Sequence, residues 1–309
     1  MPEAVSEEAT ARGGEPGAAL VVVNHGSHEL LARYLAPLAC ETGWRVVVVD
    51  NSPSDDSRRA AHDLAREHGW DLVAGPNDGF GAGVDRGVRR ATALGCDAVL
   101  VVNPDLTISA ADAAALVADA RTTHGLLVGP QIERPDGSTW FRGGGLDLER
   151  GRTGRAEPAQ TRWLTGACLA ASVRTWELVG GFDPAFFLYW EDVDLSVRLV
   201  EAGGGLRVRD DLRAVHDVGG TQKHAGTRRK SDVYYRHNCR SRLVFAARHL
   251  DRAGRRRWLL GSPRFAWEVL LRGGRRQLRS PGPWLAAARG TAEGAWFVAR
   301  HAGRQGGIG

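Results

Sequence analysis

Residues 19–51 read ALVVVNHGSHELLARYLAPLACETGWRVVVVDN, and this stretch determines the predicted fold. It begins with an apolar, valine-rich run at 19–24, which has the length and the β-branched content of a buried strand. Leucines then recur at helical spacing over 28–39, and a second valine-rich run follows at 45–50. The stretch therefore predicts a strand, a helix and a second strand, which is the repeating unit of a parallel sheet.

The same alternation continues beyond this stretch. Six further segments are predicted, alternately helix and strand: 55–68, 71–74, 81–94, 98–102, 110–123 and 126–128. Strands that are entirely apolar are typical of a sheet covered by helices on both faces. Because such sheets bind ligands beyond the carboxyl ends of their strands, the residues that follow each strand are the candidate site residues.

Beyond residue 130 the regular alternation ends. Residues 142–159 are rich in Gly and Arg and are predicted to be a loop, and short strands are predicted at 206–209 and 213–215. An aromatic run precedes a predicted helix from about residue 191 to 202, and three glycines stop that helix.

We divide the chain into three parts. Residues 1–18, acidic and without the apolar core of a signal peptide, are expected to be disordered. Residues 19–230 are expected to form an α/β domain, and residues 231–309 a basic helical C-terminal extension. No apolar run approaches the length of about 20 residues that a membrane-spanning helix needs.

Charge is unevenly distributed along the chain. The whole chain carries a net charge of +5, but residues 228–309 contain 19 Lys or Arg and 4 Asp or Glu, a net charge of +15. A basic tail on an acidic body predicts a polyanionic partner. Arginines interleaved with tryptophans favour an anionic membrane surface, and no motif that reads nucleic acid is recognised. We expect a cytoplasmic protein, peripheral on the inner face of the plasma membrane; a basic tail packed on the domain is the alternative.

Polar residues follow three of the predicted strands. Asn24 ends the first, Asp50 the second, and Asn103 and Asp105 follow the strand at 98–102. A carboxylate at such a position can hold a base or ribose, or a divalent metal that carries a diphosphate. Each residue could instead cap a helix or begin a turn.

A glycine-rich loop follows the strand at 71–74. It contains Asn77, Gly79 and Gly81, and such a loop before a helix can hold phosphates. It is not the dinucleotide-binding fingerprint, since residue 84 is Val where that pattern needs Gly.

Carboxylates follow aromatic side chains at residues 189–194. Tyr189 and Trp190 precede Glu191 and Asp192, and His216 comes 24 residues after Asp192. The acids could serve only as a charged first helical turn. A carboxylate beside aromatic rings is also typical of a general base that faces a sugar.

In this order, the segments resemble the inverting glycosyltransferases of family two, and especially their bacterial rhamnosyltransferase-like branch. The matching segments are 21–24, 48–52, 77–83, 103–105, 163–167, 181–184, 190–194 and His216. The resemblance covers residues 20 to about 245. It implies the GT-A (nucleotide-diphospho-sugar transferase) fold, a mixed sheet flanked by helices.

The resemblance also implies roles for individual residues. Asp192 would be the catalytic base with Glu191 beside it, and Asp105 and His216 would bind a divalent metal, Mg or Mn. The residues implied for donor binding are Asn24, Asp50, Asn77, Gly79, Gly81, Asn103 and Asp105. Those implied for acceptor binding are Trp163, Gly166, Tyr189 and Trp190. The family motif at 103–105 often begins with Asp, and Asn103 leaves this chain with one of its carboxylates.

The implied reaction is transfer of a sugar with inversion at the anomeric carbon. L-Rhamnose from dTDP-rhamnose is the expected donor sugar, and a cell-envelope glycan or a polyprenyl-diphosphate-linked saccharide the expected acceptor. A UDP-hexose or UDP-galactofuranose transferase is the alternative within this fold. A sugar nucleotidyltransferase would carry a basic, glycine-rich loop after its first strand, where this chain has residues 24–27, NHGS. A non-catalytic sugar-nucleotide-binding protein would not need Asp105, Asp192 and His216 together. The oligomeric state is left open.

Overall fold

The computed structural model describes residues 17–217 and 230–301. In these residues the strands are β1 (Gly17–Asn24), β2 (Arg45–Asp50), β3 (Asp71–Ala74), β4 (Cys96–Val102), β5 (Leu106–Ile108), β6 (Leu126–Glu133), β7 (Thr139–Phe141), β8 (Gly144–Asp147), β9 (Arg152–Arg155), β10 (Cys168–Ser172) and β11 (Gly205–His216).

The helices of the same residues are α1 (His28–Leu30), α2 (Ala36–Thr42), α3 (Asp55–His68), α4 (Phe80–Ala93), α5 (Ala110–Thr122), α6 (Val173–Val179), α7 (Glu191–Glu201), α8 (Asp232–His249), α9 (Arg252–Leu260), α10 (Ser262–Arg272) and α11 (Pro281–Arg300). A π-helical turn, Leu31–Leu35, joins α1 to α2, and short 3₁₀ turns lie at Pro158–Gln160 and Arg275–Arg279.

A nine-stranded mixed sheet lies at the centre. Its strand order is β3-β2-β1-β4-β10-β6-β11-β5, and β7 pairs with β6. Strands β3, β2, β1 and β4 are parallel, β10 is antiparallel to both β4 and β6, and β11 is parallel to β6. The mixed sheet flanked by helices confirms the predicted fold class.

The five strands predicted from the apolar runs all run in one direction in this sheet. Their side chains are almost completely buried in β1, β2 and β4, because helices cover both faces. Strand β1 begins at Gly17, two residues before the predicted boundary, so residues 17 and 18 belong to the domain. The rest of the predicted disordered segment, residues 1–16, lies outside the described residues.

The prediction of a loop over 142–159 was wrong, because this segment contains the hairpin of β8 and β9. Its glycines conceal the strand from a search for apolar alternation. A side chain at Gly144 would collide with the indole of Trp163, so the glycine permits close packing. The two short strands predicted near 206–215 form a single strand, β11, with a register irregularity between Arg209 and Arg213.

The C-terminal segment is helical, as predicted, but its first helix is part of a core. Tyr235, Leu243 and Phe245 of α8 are fully buried in a second apolar cluster. The buried Arg242 guanidinium donates to the Gly151 carbonyl oxygen and lies 4.7 Å from the Trp258 ring centroid. The extension is therefore packed against the β8–β9 hairpin. No helix within 17–217 or 230–301 is both long enough and apolar enough to cross a bilayer.

Candidate active site

The neighbouring strands β2, β1 and β4 bring their carboxyl ends to one edge of the sheet. Asn24 pairs in register with Asp50, and Val21 with Val101. Asn24 is therefore level with residues 103–105, which follow β4. The predicted donor-binding residues of the first, second and fourth parallel strands lie along the same edge, as expected for such a sheet.

Asp50 is buried and well supplied with hydrogen-bond donors. Its Oδ1 accepts from Asn24 Nδ2 at 2.9 Å, from Ser52 Oγ at 2.5 Å and from the Ser52 amide at 3.2 Å. Asn24 Oδ1 accepts in turn from the Ser27 amide at 2.9 Å. This network holds the carboxylate in one orientation at the end of β2.

The glycine-rich loop is pressed against the aromatic segment that precedes α7. Gly79 has a φ of +106°, and a side chain there would collide with the Phe187 carbonyl oxygen. A Cβ at Gly81 would lie 2.7 Å from Phe182. The Phe80 amide donates to the Phe187 carbonyl oxygen at 3.0 Å. Close packing accounts for both glycines, and the Gly79 amide is held by Asn77 Oδ1 at 3.3 Å.

A cleft of about 480 Å³ opens beside this packing. Nine residues predicted for the site line it: Asn103, Asp105, Trp163, Gly166, Tyr189, Trp190, Glu191, Asp192 and His216. Five predicted donor-binding residues are not among its lining residues: Asn24, Asp50, Asn77, Gly79 and Gly81. The structure thus gathers the residues predicted for metal, base and acceptor in one cleft. The residues predicted for donor binding at the ends of β1 and β2 and in the glycine-rich loop are not among those that line it.

Asp105 and His216 meet although 111 residues separate them. Strand β11 pairs with β5, which places His216 opposite Leu106 and its Nε2 2.9 Å from Asp105 Oδ1. Asn103 Nδ2 is 3.5 Å from the same nitrogen, and the Trp140 ring lies edge-on to the imidazole at 4.6 Å.

This pair can supply part of a metal site. Neighbouring ligands of an octahedral ion with bonds of about 2.1 Å lie about 3.0 Å apart, so the observed 2.9 Å suits two ligands of one ion. Over 17–217 and 230–301 no group of three or more His, Cys, Asp or Glu side chains converges on a metal position. A divalent ion would therefore need further oxygen ligands, such as those of a diphosphate.

Asp192 is a half-buried carboxylate in the first turn of α7, held by backbone hydrogen bonds. Its Oδ2 accepts from the Gly166 amide at 3.3 Å, and its Oδ1 from the Val193 amide at 2.9 Å. Burial raises the pKa of Asp192 to about 6, and these hydrogen bonds oppose the rise. The group is mainly ionised at neutral pH and can be protonated by a modest fall in pH.

Glu191 is buried, and its carboxylate is less well supplied with hydrogen-bond donors than that of Asp192. Burial raises its pKa well above the usual range, and the neighbouring charges of Asp192 and Asp194 act in the same direction. Its Oε2 accepts no hydrogen bond from the part of the chain that the structure describes. A buried acid that lines a cleft and has a raised pKa is a common feature of functional sites.

The backbone before α7 is strained. Tyr189 and Trp190 have φ values of 63° and 70°, which are unusual for residues other than glycine. These two residues turn the chain so that Glu191 and Asp192 begin the helix beside the cleft. Strain of this kind persists where the surroundings fix it, and it concentrates at functional sites.

Two buried contacts fix α7 on the side away from the cleft. Asp194, which is completely buried, accepts from His249 Nε2 at 2.7 Å and from Arg198 Nε at 2.7 Å. The Ser196 hydroxyl accepts from the Leu164 amide at 3.1 Å. Asp194 is therefore a structural anchor between α7 and α8, and Asp192 is the carboxylate that faces the site.

Further residues, which the sequence analysis did not single out, complete the cleft. Trp140 of β7, and Tyr234 and Asn238 of α8, line it together with Phe80 and Lys230. The four-residue spacing of Tyr234 and Asn238 places them on one helical face. That spacing was the available signal, but nothing in it indicates which face of α8 meets the cleft.

Comparison with known proteins agrees with this geometry. The family model "Glycosyl transferase family 2" matches residues 20–191. An N-acetylglucosaminyl-diphospho-decaprenol L-rhamnosyltransferase of Mycobacterium tuberculosis is 32% identical over 218 residues, covering 60% of this chain and 70% of the relative. A low-salt glycan biosynthesis hexosyltransferase of Haloferax volcanii is 28% identical over 192 residues, covering 58% of this chain and 60% of that protein.

Solved structures share the fold. The mannosyltransferase PcManGT from Pyrobaculum calidifontis, in complex with GDP-Man and Mn²⁺, has a TM-score of 0.52 at 15% identity, covering 94% of this chain and 88% of its own. Residues 1–349 of S. aureus TarS have a TM-score of 0.50 at 13% identity, covering 92% of this chain and 91% of that structure. The predicted family and enzyme class are confirmed. The chain belongs to glycosyl transferase family 2 and is a glycosyltransferase.

Proposed function

We propose that this glycosyltransferase transfers L-rhamnose from dTDP-rhamnose to a polyprenyl-diphosphate-linked saccharide, with inversion at the anomeric carbon. The observation that carries the proposal is the position of Asp192. It is a half-buried carboxylate that lines the same cleft as Asp105 and His216. A base and a diphosphate-binding pair in one cleft suit a direct displacement.

Asp192 would act as the general base. Its Oδ2 is held by the Gly166 amide, so the carboxylate has a fixed direction before the acceptor binds. With a pKa of about 6 it is ionised at neutral pH and can accept the proton of the attacking hydroxyl. A single displacement needs no second nucleophile, unlike the paired carboxylates of retaining glycosidases.

The donor would lie between the strand edge and the cleft. Asp50, held by Asn24 and Ser52, would accept from the base or ribose. The diphosphate would then reach Asp105 and His216. A Mg²⁺ or Mn²⁺ ion bound by this pair would neutralise the charge that develops on the leaving diphosphate.

The acceptor would enter along the aromatic wall of the cleft. Trp163, Tyr189 and Tyr234 line it and offer flat apolar faces of the kind that pack against sugar rings. The identity to a rhamnosyltransferase named for an N-acetylglucosaminyl-diphospho-decaprenol acceptor supports both the sugar and the acceptor class. A UDP-hexose or UDP-galactofuranose donor is the alternative that a donor screen would distinguish.

The test is a transfer assay with radiolabelled dTDP-rhamnose, UDP-hexoses and UDP-galactofuranose, using a polyprenyl-diphosphate-linked N-acetylglucosamine acceptor. We expect labelled product from dTDP-rhamnose alone, with a configuration opposite to that of the donor. Product from a UDP donor alone would refute the rhamnose assignment. A product that retains the donor's configuration would refute the role of Asp192.

Addition of a chelator tests whether transfer requires a divalent metal ion. We expect transfer to fall when divalent ions are removed and to return with Mg²⁺ or Mn²⁺. Mn²⁺ binding, measured by calorimetry in the presence of dTDP, should be weakened by His216→Ala. Equal Mn²⁺ binding by wild type and variant would exclude this histidine as a ligand.

A further inference from the structure

Large apolar side chains are exposed mainly on the C-terminal helices. Nine are exposed among the described residues, and seven of them follow residue 230: Val233, Leu260, Trp267, Leu271, Trp284, Leu285 and Trp296. A monomeric protein usually buries such side chains or scatters them over its surface. Their concentration on α8–α11 indicates a contact surface.

Part of this set forms one patch across two helices. The rings of Trp267 on α10 and Trp284 on α11 lie 5.7 Å apart, and both residues are more than two-fifths exposed. Leu271 lies one helical turn after Trp267, and Leu285 adjoins Trp284 with 68% of its surface exposed. We call Trp267, Leu271, Trp284 and Leu285 the tryptophan patch.

The rest of α11 extends this surface without any exposed acid. The exposed residues between Pro281 and Arg300 are Pro281, Trp284, Leu285, Ala288, Arg289, Ala292, Trp296, Ala299 and Arg300. The single carboxylate of the helix, Glu293, is half-buried and paired with Arg236 and Arg289. An exposed helical face of Trp, Leu, Ala and Arg is typical of a helix that lies in a membrane interface.

Arginines border the tryptophan patch. The 3₁₀ turn between α10 and α11 exposes Arg275, Arg276 and Arg279, and none of them forms an ion pair with another described residue. Trp284 Nε1 donates to the Leu278 carbonyl oxygen of this turn at 3.0 Å, so the turn and the patch adjoin. The charge of the turn complements an anionic lipid surface.

The same turn contacts a residue that lines the cleft. Gln277 Nε2 donates to the Lys230 carbonyl oxygen at 3.1 Å, and Tyr235 Oη donates to Gln277 Oε1. Lys230 lines the cleft together with Tyr234 from the first turn of α8. A continuous series of contacts therefore connects the tryptophan patch, the 3₁₀ turn at Arg275–Arg279 and the cleft.

We infer that the tryptophan patch and the Arg275–Arg279 turn are a docking surface for an anionic lipid bilayer, placed to present the cleft to an acceptor held in that bilayer. The tryptophans and leucines enter the interface, and the arginines contact lipid phosphates. The role in acceptor delivery rests on the proposed function, but the membrane contact does not.

The test is flotation of the full chain with vesicles of phosphatidylcholine mixed with phosphatidylglycerol, and with vesicles of phosphatidylcholine alone. We expect strong binding to the mixed vesicles. Replacing Arg275, Arg276 and Arg279 together with Ser should weaken it about 100-fold, since each basic residue near an anionic surface contributes about fivefold. Replacing Trp284 and Leu285 with Ser should weaken it at least about tenfold, because each apolar side chain leaves the interface.

A matched control separates this surface from net charge. Arg58, Arg59 and Arg66 on α3 are also exposed, and their replacement with Ser removes the same charge far along the sequence from the patch. We expect the control variant to bind vesicles as wild type does. Failure of wild type to bind, or an equal loss in the control, would overturn the inference.

Two further measurements keep this inference distinct from the proposed function. Transfer to a water-soluble acceptor with a short alkyl chain should be unchanged in the patch and turn variants, whereas transfer to acceptor in vesicles should fall with their binding. Vesicle binding without any rhamnosyl transfer would refute the proposed function and leave the docking surface standing. If the Trp284 and Leu285 replacements convert a dimer to a monomer with no change in vesicle binding, the patch is an interface between two copies and the inference fails.

Discussion

Two carboxylate sites, at Asp50 and at Glu191–Asp192, differ in the hydrogen bonds that their oxygens accept. One oxygen of Asp50 accepts three hydrogen bonds from Asn24 and Ser52. Asp192 accepts two backbone hydrogen bonds, and Glu191 Oε2 accepts none from the described residues. The pKa values of Glu191 and Asp192 are accordingly raised by burial.

We interpret this difference as one between the two proposed roles: Asp50 holds a ligand, and Asp192 accepts a proton. A carboxylate whose donors are fixed neighbours keeps one orientation, which suits recognition of a nucleoside. A carboxylate whose hydrogen bonds do not fully offset its desolvation binds a proton more readily, as the raised pKa values of Glu191 and Asp192 indicate. Three substitutions and a pH profile test this distinction.

Asp192→Asn should lower kcat about 10³-fold or more, because the amide cannot accept the proton of the acceptor hydroxyl. The amide oxygen can still accept from the Gly166 amide, so the fold should be kept. Steady-state transfer rates and a melting curve at neutral pH would measure both effects. Asp56→Asn, in the first turn of α3, is the control and should leave kcat unchanged. Near-normal transfer by a folded Asp192→Asn variant would contradict the role of Asp192 as the general base.

Asp50→Asn should act on donor binding and on stability together. Removal of a charged acceptor should raise the donor KM about 10- to 100-fold, and the replacement of buried charge-assisted hydrogen bonds by weaker neutral ones should lower the free energy of unfolding by about 1–3 kcal/mol. Denaturant unfolding would measure the free energy of unfolding, and transfer rates at varied donor concentration would measure the donor KM. Asp97→Asn, at the start of β4 and so at the opposite end of the sheet, should leave the donor KM unchanged. A loss of kcat alone in Asp50→Asn would contradict the assignment.

The pH profile should show the titration of Asp192. Since its pKa is raised to about 6, kcat/KM should fall about tenfold for each pH unit below that value, as the base becomes protonated. A profile of kcat/KM that stays flat down to pH values near the ordinary aspartate pKa of about 3.9 would contradict the raised value.

Glu191→Gln should stabilise the protein at neutral pH. A raised pKa in the folded state means that folding binds protons, so the wild type loses stability as pH rises through that pKa. The neutral amide avoids this loss and should gain about 1 kcal/mol, or about 2–4 °C in Tm, at neutral and alkaline pH. The difference should vanish at pH values below the unfolded glutamate pKa of about 4.3. A variant less stable than wild type at alkaline pH would show that Glu191 is a satisfied structural acid.

Sequence reasoning was most successful for the parallel part of the sheet. The strands β1, β2, β3, β4 and β6 were found because buried strands between helices are continuously apolar. The antiparallel strands β5, β7 and β10 were not identified as strands, and the β8–β9 hairpin was predicted to be a loop. These elements are short or rich in glycine, and their pairing depends on partners far away in the chain.

By itself, the sequence determined the strand-end residues Asn24, Asp50 and Asp105 and the α7 carboxylates, because local periodicity fixes where a strand or helix ends. The tertiary structure decided which of them share a cleft. It brought His216 to Asp105 through the pairing of β11 with β5, and it placed Tyr234 and Asn238 in the same cleft as Asp192. It also buried α8 while exposing the tryptophans of α10 and α11, a division that the +15 charge of the tail did not reveal. The physical reason is that burial and hydrogen-bond satisfaction depend on non-local packing, which a one-dimensional pattern of residues does not specify.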